Sequence, residues 1–273
     1  MQYYKKTPYI CIIVYWCKMT KGINDKALML PPITLDEMSG IKLMNRTDTK
    51  FVATIEQLHS FLIAVQGKYY IQEINGKRIA SYHTTYFDTD DYQMYCMHHC
   101  GRTVREKIRV RTYMDSDDTF FEIKNKNNHG RTKKKRISIE ALETMHEEYD
   151  SIIPFMDKHA WYAIEEISPV IENWFNRITL VNIGKTERLT IDFNLRFHHL
   201  KSNMHDKLQK VAIIELKRDG NVSSPALEII RELRIKRSGF SKYCIGSALT
   251  NKDLKRNNFK ERLTMIGKME NKL

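Results

Sequence analysis

The chain has 273 residues, and its 45 Lys and Arg against 33 Asp and Glu leave a net charge of +12 and a pI near 9.3. With 42% hydrophobic and 29% charged residues it has the composition neither of a disordered polyelectrolyte nor of a membrane-embedded protein, and its length suits one large domain or two small ones. A surplus of this size predicts an anionic partner, whose nature depends on where the charges sit.

Five cysteines (Cys11, Cys17, Cys96, Cys100, Cys244) are an odd set without the density of a disulfide framework, which predicts a reducing, cytoplasmic setting. The longest apolar stretch, YICIIVYWC over 9–17, is shorter than the roughly 20 residues a bilayer span needs. No small-residue cleavage site follows it; Lys18, Lys21 and Lys26 do. Residues 1–30 therefore read as an N-terminal extension outside the folded domain, with Met29 as an alternative start. One domain is expected over 31–250, and 251–273 reads as a basic amphipathic C-terminal helix.

Taken in chain order, the organising signal is alternation with period 2, the mark of strands whose two faces differ chemically. NRTDTKFV puts Arg46, Asp48 and Lys50 on one face. Tyr82, Tyr86, Phe87, Tyr92 and Tyr95 read as core and rim, and Asp88, Asp90 and Asp91 as turn chemistry without an EF-hand pattern. Cys96-Met-His-His-Cys100 lacks the second ligand pair of a structural zinc site and reads as a strand end and turn leading into Gly101 and Arg102. In REKIRVRTY, Arg105, Lys107, Arg109, Arg111 and Tyr113 share a face opposite Ile108 and Val110. TFFEIKNK aligns Glu122, Lys124 and Lys126, and TKKKRISI aligns Lys134 and Arg136. ALETMHEEYDSIIPFM is helical in pattern, with breaks expected at Pro154 and Pro169. ERLTIDF aligns Arg188 with Asp192, His198 and His199 read as surface residues, and VAIIELK aligns Glu215 with Lys217. SSPALEIIREL has the serine start and first-turn proline of a helix. Many short antiparallel strands with few helices predict a closed or nearly closed sheet, since closure removes unpaired edges.

The charge is concentrated. Residues 102–136 carry twelve Lys and Arg against five acids, a surplus of seven in 35 residues. Exposed strands ordinarily mix signs across neighbours, because like charges directly opposite destabilise a sheet. Rows of one sign enclosing a few acids suit a polyphosphate, and Asp48, Glu122, Asp192 and Glu215 are the acids available to a divalent cation. A nucleic-acid surface would interleave aromatics for base stacking, and the charged faces carry few besides Tyr113. No P-loop and no kinase-type glycine loop is present, so nucleotide handling would fall to side-chain cations.

Nine segments in order, RTDTKF (46–51), YFDTDDYQMY (86–95), GRTVREKIRVRTY (101–113), FEIKNK (121–126), KKRISI (134–139), FNRITL (175–180), ERLTIDFNL (187–195), IIELK (213–217) and FSKY (240–243), resemble the VTC domain. This is the polyphosphate polymerase domain of the vacuolar transporter chaperone complex and of stand-alone bacterial relatives, within the triphosphate tunnel metalloenzymes. The resemblance implies an α+β fold with a closed eight-stranded antiparallel β-barrel, its cationic faces turned inward and helices packed around it. It implies transfer of the terminal phosphate of ATP to a phosphate, pyrophosphate or polyphosphate acceptor, with Mn²⁺ or Mg²⁺ as cofactor. Lys50, Arg109, Arg111, Lys124, Lys134, Arg177, Arg188, Ser241 and Lys242 match positions that grip the phosphate chain, and Glu215 matches the metal-binding carboxylate. Arg102, Lys107 and Arg136 are added as neighbouring tunnel-lining residues. One departure stands out: the motif has a lysine two residues before the serine of FSKY, and here that residue is Gly239, with Lys236 or Arg237 as substitutes. Arg46-Thr-Asp-Thr-Lys50 replaces the E-x-E-x-K of the related CYTH triphosphatases, which favours the polymerase branch. An inorganic triphosphatase of the same class and a non-catalytic binder of polyphosphate or nucleic acid remain as alternatives. No nucleic-acid partner is expected, and neither an SPX domain nor a membrane span is seen to couple synthesis to translocation.

Overall fold

A computed structural model describes residues 22–39, 46–220 and 222–271, so Cys11, Cys17 and the apolar stretch over 9–17 lie outside the described residues. A helix over 22–28 (α1) is followed by β1 (Pro32–Ile33), α2 (Leu35–Ser39), β2 (Arg46–Thr54), α3 (Ile55–Ala64), β3 (Tyr69–Gln72), β4 (Ala80–Asp88) and α4 (Gln93–His99). Then come β5 (Arg105–Tyr113), β6 (Asp118–Lys126), β7 (Thr132–Ile139), α5 (Tyr149–His159), β8 (Ser168–Asn182), β9 (Glu187–His199), β10 (Met204–Leu208) and β11 (Val211–Asp219). The chain ends with α6 (Pro225–Glu232), β12 (Lys236–Arg237), α7 (Lys242–Thr250) and α8 (Lys260–Met269). No helix among the described residues is long and apolar enough to cross a membrane.

The expectation of an α+β, mainly antiparallel sheet with flanking helices holds, but that of a closed eight-stranded barrel is corrected. Among the described residues, twelve strands form one sheet in the order β12-β2-β11-β9-β8-β4-β5-β6-β7, with β1, β3 and β10 off this path, and β12 and β7 end the path, each with one partner strand. The edge residues explain this. β12 consists of two exposed cations, and β7 presents Lys133, Lys134, Lys135 and Arg136, all exposed. A row of lysines and arginines along an edge opposes its pairing with a further cationic strand.

The chain divides into two compact units. One comprises residues up to 79 with 178–191 and 213–237. Its core draws Ile23, Ala27 and Leu30 from α1 and the adjoining turn, Leu58, Phe61 and Leu62 from α3, and Leu180, Leu189, Ile214 and Leu216 from its strands. α3 starts in a capping box, Gln57 N–H donating to Thr54 Oγ1 at 3.2 Å and Thr54 N–H to Gln57 Oε1 at 2.9 Å. Arg78 donates to the carbonyls of Ala27, Leu28 and Leu30, so residues 22–30, read above as an extension, are packed into this unit.

The other unit comprises 80–177, 192–212 and 238–273. Val110, Phe121 and Ile123 point to the covered face of its sheet, where Phe155 of α5 sets its ring 6.2 Å from that of Phe121. Pro154 lies inside α5 and does not end it; burial of Ile152 and Met156 on either side outweighs the one lost hydrogen bond. The stretch through Cys96 is a helix, α4, and not a strand end: Asp88 accepts from the backbone N–H of Met94 and Tyr95, each at 2.9 Å. His199 is buried and not on the surface, its Nδ1 accepting from Ser202 N–H at 3.1 Å. Gly246 lets α7 approach the sheet closely, since a Cβ there would collide with the Phe197 ring and come within 2.9 Å of Ile171.

Candidate functional site

In the second unit, alternation sends Lys107, Arg109 and Arg111 of β5 to the face opposite the covered one, and register decides what each meets. Lys107, Lys124 and Lys134 stand directly opposite one another across β5, β6 and β7, a row of three like charges. The next row is Tyr86, Arg109, Glu122 and Arg136; the next is Thr84, Arg111, Phe120 and Ser138. Directly opposed like charges cost stability, so the lysine row is a feature that folding alone does not reward.

Two buried carboxylates temper this surface. Glu122, with 1% of its side chain exposed, accepts from Arg109 Nε at 2.7 Å and pairs with Lys134. Burial pushes its carboxyl up, but Arg109, Arg111 and Lys134 outweigh that and hold it down at about 2. Asp192 takes a two-pronged contact from Arg177, Nε at 2.6 Å and Nη2 at 2.8 Å, and also pairs with Lys242. Against its burial, Arg177 and Lys242 hold it far below the usual carboxylate range. Both acids were available to a divalent cation on sequence grounds; here each is already clamped by two cations. Lys242 itself is drawn down to about 8 by burial, which with the nearby Arg177 outweighs the attraction of Asp192.

Three rings lie under the cations. Arg111 sits 5.6 Å from the Tyr82 centroid and 5.9 Å from that of Phe175, Arg177 sits 5.1 and 5.3 Å from the same two, and Lys242 lies 4.1 Å from Phe175. Tyr82, Tyr86 and Phe175 are buried, so they support cations and present no open platform for bases. Burial raises the Tyr86 hydroxyl, but Arg109, Arg111 and Lys242 together bring it below its ordinary value. Lys107 Nζ donates to Ser241 Oγ at 3.1 Å, and Ser241 caps α7, accepting from Cys244 N–H, which places Lys242 in the first turn. Arg136 stacks 4.1 Å from the Phe120 ring centroid. Arg102 is apart, exposed in the turn after α4, its carbonyl accepting from Arg105.

In the first unit, Lys50 Nζ lies 3.7 Å from Glu215 Oε1, Lys217 Nζ lies 3.5 Å from Oε2, and Thr190 Oγ1 donates to Oε2 at 3.5 Å. Arg188, two residues before Thr190 on β9, shares its face. Lys236 and Arg237, the substitutes considered for the missing lysine at 239, form β12 in this unit beside Val52 and Phe51.

Of the thirteen residues singled out by sequence, the structure groups Lys107, Arg109, Arg111, Lys124, Lys134, Arg136, Arg177, Ser241 and Lys242 on one face, and Lys50 with Glu215 and Arg188 in the other unit. What residue spacing had not shown is the pairing of Asp192 with Arg177 and Lys242, which joins β9, β8 and α7, and the rings of Tyr82, Tyr86 and Phe175 beneath the cations.

The sequence profile of the VTC domain family matches residues 45–251. No curated protein matches. Among solved structures, a candidate adenylyl cyclase from Hippeastrum with a dominant triphosphatase activity is 14% identical, at a TM-score of 0.48, over 76% of this chain and 97% of that one. A candidate adenylate cyclase from Vibrio parahaemolyticus is 12% identical at 0.42, over 75% and 99% of the two chains. A Pyrococcus horikoshii protein is 14% identical at 0.42, over 75% and 98%.

Proposed function

The chain belongs to the VTC domain family, and from that premise we propose that it is a metal-dependent polyphosphate polymerase, transferring the terminal phosphate of ATP to a phosphate, pyrophosphate or polyphosphate acceptor. The observation that carries this reading is the cationic face of the second unit, where eight cations (Lys107, Arg109, Arg111, Lys124, Lys134, Arg136, Arg177, Lys242) accompany two carboxylates (Glu122, Asp192). A polyanion relieves the repulsion within the lysine row and so recovers energy that folding spent.

Phosphoryl transfer needs little covalent help and much charge placement, because negative charge spreads over the oxygens of the transferred group. At an effective dielectric of about 20, a cation about 4 Å from a phosphate oxygen contributes roughly 4 kcal/mol before desolvation. Arg109, Arg111 and Arg177, always charged and seated on rings, orient the chain; Lys124 and Lys134 meet its oxygens as point charges. Glu122 and Asp192 hold these cations in place in the absence of substrate and yield part of each contact to phosphate. Lys107, Ser241 and Lys242 position the other end of the chain, and Arg102 and Arg136 extend the positive field. The acceptor oxygen is already an anion at neutral pH, so no side chain need serve as general base.

Glu215 would hold the divalent cation: it is a partly exposed carboxylate, a hard oxygen donor of the kind Mn²⁺ and Mg²⁺ take, with Lys217 at 3.5 Å and Lys50 at 3.7 Å. Bound there, Mn²⁺ or Mg²⁺ would neutralise phosphate charge as a Lewis acid. Lys50 and Arg188 supply further positive charge in that unit. The reading places the reaction in the cytoplasm, where Cys96, Cys100 and Cys244 stay reduced.

Incubation of the purified protein with ATP and Mn²⁺ or Mg²⁺, with and without pyrophosphate, is expected to yield polyphosphate chains. Release of free phosphate alone would mark a triphosphatase, and saturable polyphosphate binding with no turnover would mark a binder; either result overturns the polymerase reading.

A further inference from the structure

Gly239 interrupts the run that leads into Ser241 and Lys242, and the structure shows what stands beside it. A Cβ built on Gly239 would have the guanidinium of Arg262 as its nearest surroundings, Nη2 at 3.7 Å, Cζ at 3.8 Å and Nε at 3.9 Å. Arg262 comes from the first turn of α8, twenty-three residues further along the chain in the same unit. It lies over the Phe259 ring, 5.8 Å from its centroid, and no carboxylate pairs with it among the described residues.

Burial alternates over the three residues that lead into α7: Gly239 is exposed, Phe240 is buried and Ser241 is intermediate. Ser241, two residues after Gly239, is met at its Oγ by Lys107 Nζ at 3.1 Å. Arg262 thus stands beside the segment that delivers Ser241 and Lys242 to the cationic face.

We infer that Arg262 is a phosphate-holding residue of this site, a cation supplied from α8 to the place where residue 239 brings no side chain. The inference deepens the reading of the site as a polyphosphate site and rests on it. Arginine suits the role because it stays charged beside Lys107 and Lys242, and its planar fork can meet two phosphate oxygens at once. Seating on Phe259 fixes the guanidinium ahead of binding and reduces the entropy lost on contact.

The test is isothermal titration of the full chain with tripolyphosphate in metal-free buffer, where turnover does not interfere. The wild type is expected to bind, and Arg262→Gln to bind about tenfold more weakly. Gly239→Lys in the Arg262→Gln background is expected to restore most of the loss, because residue 239 has room for a side chain and no positive φ to oppose it. Gly239→Glu in the otherwise unaltered protein places a carboxylate against Arg262 at an exposed position and is expected to weaken binding as strongly as Arg262→Gln, which keeps the test independent of whether α8 tolerates the glutamine. A wild type that does not bind tripolyphosphate overturns the polyphosphate reading and this inference with it. A wild type that binds, with Arg262→Gln and Gly239→Glu binding equally well, overturns the role of Arg262 alone.

Discussion

Asp192 and Glu215 are both acids among cations, yet they sit in opposite regimes. Asp192, with 6% of its side chain exposed, is held by three contacts from Arg177 and Lys242, and Glu122, at 1%, is held in the same way by Arg109 and Lys134. Glu215 keeps 20% of its side chain exposed, with Lys217 at 3.5 Å, Lys50 at 3.7 Å and Thr190 Oγ1 at 3.5 Å. A carboxylate buried among cations is a counter-ion whose removal strands charge; one that stays partly exposed can be reached by another ligand.

This contrast breaks first at Asp192→Asn. Losing the charge leaves Arg177 and Lys242 buried without compensation, and the expected loss is about 3–5 kcal/mol in urea unfolding. Glu215→Gln should do the reverse, lowering the proposed polymerase turnover by about 100-fold while unfolding shifts by less than about 1 kcal/mol. A Glu215→Gln protein that is destabilised as much as Asp192→Asn would erase the distinction. Lys124→Ala removes the middle of the lysine row and is expected to weaken tripolyphosphate binding about tenfold while leaving the melting temperature unchanged or slightly raised, since like-charge repulsion is relieved. Retained affinity would take Lys124 out of the site.

Proton linkage sharpens the same comparison with smaller effects. Glu122 is depressed from 4.5 to about 2, so its contribution to stability is complete above 4.5 and is lost as pH falls toward 2; acid unfolding of Glu122→Gln should lack that component. Lys242 titrates near 8 in the free protein, and a bound phosphate would favour its charged form, so tripolyphosphate binding should weaken as pH rises through about 8. Titrations from pH 6.5 to 9.5 are expected to show this decline, flattened in Lys242→Arg.

Local rules and distant contacts divide the residues into those legible in the chain and those not. The faces of β5, β6 and β7 were legible because side-chain direction in a strand alternates with a period of two, a local rule that needs no partner. The start of α6 at Ser224 and Pro225 was legible for a similar reason, as capping acts within three residues. Other features were not. Pro154 predicts a break by its local chemistry, yet tertiary burial of Ile152 and Met156 carries α5 through it. His199 has the polarity of a surface residue, yet at the end of β9 it is fully buried.

The sign of the charge surplus and its confinement to alternate positions are thus properties of the amino-acid order. The alignment of Lys107, Lys124 and Lys134, the clamping of Asp192 by residues 15 and 50 positions away and the open edges at β7 and β12 are properties of the folded chain. Register, ion pairing and edge exposure each depend on which distant segment arrives alongside, and that is settled by burial of the whole apolar set, to which no short window of sequence has access.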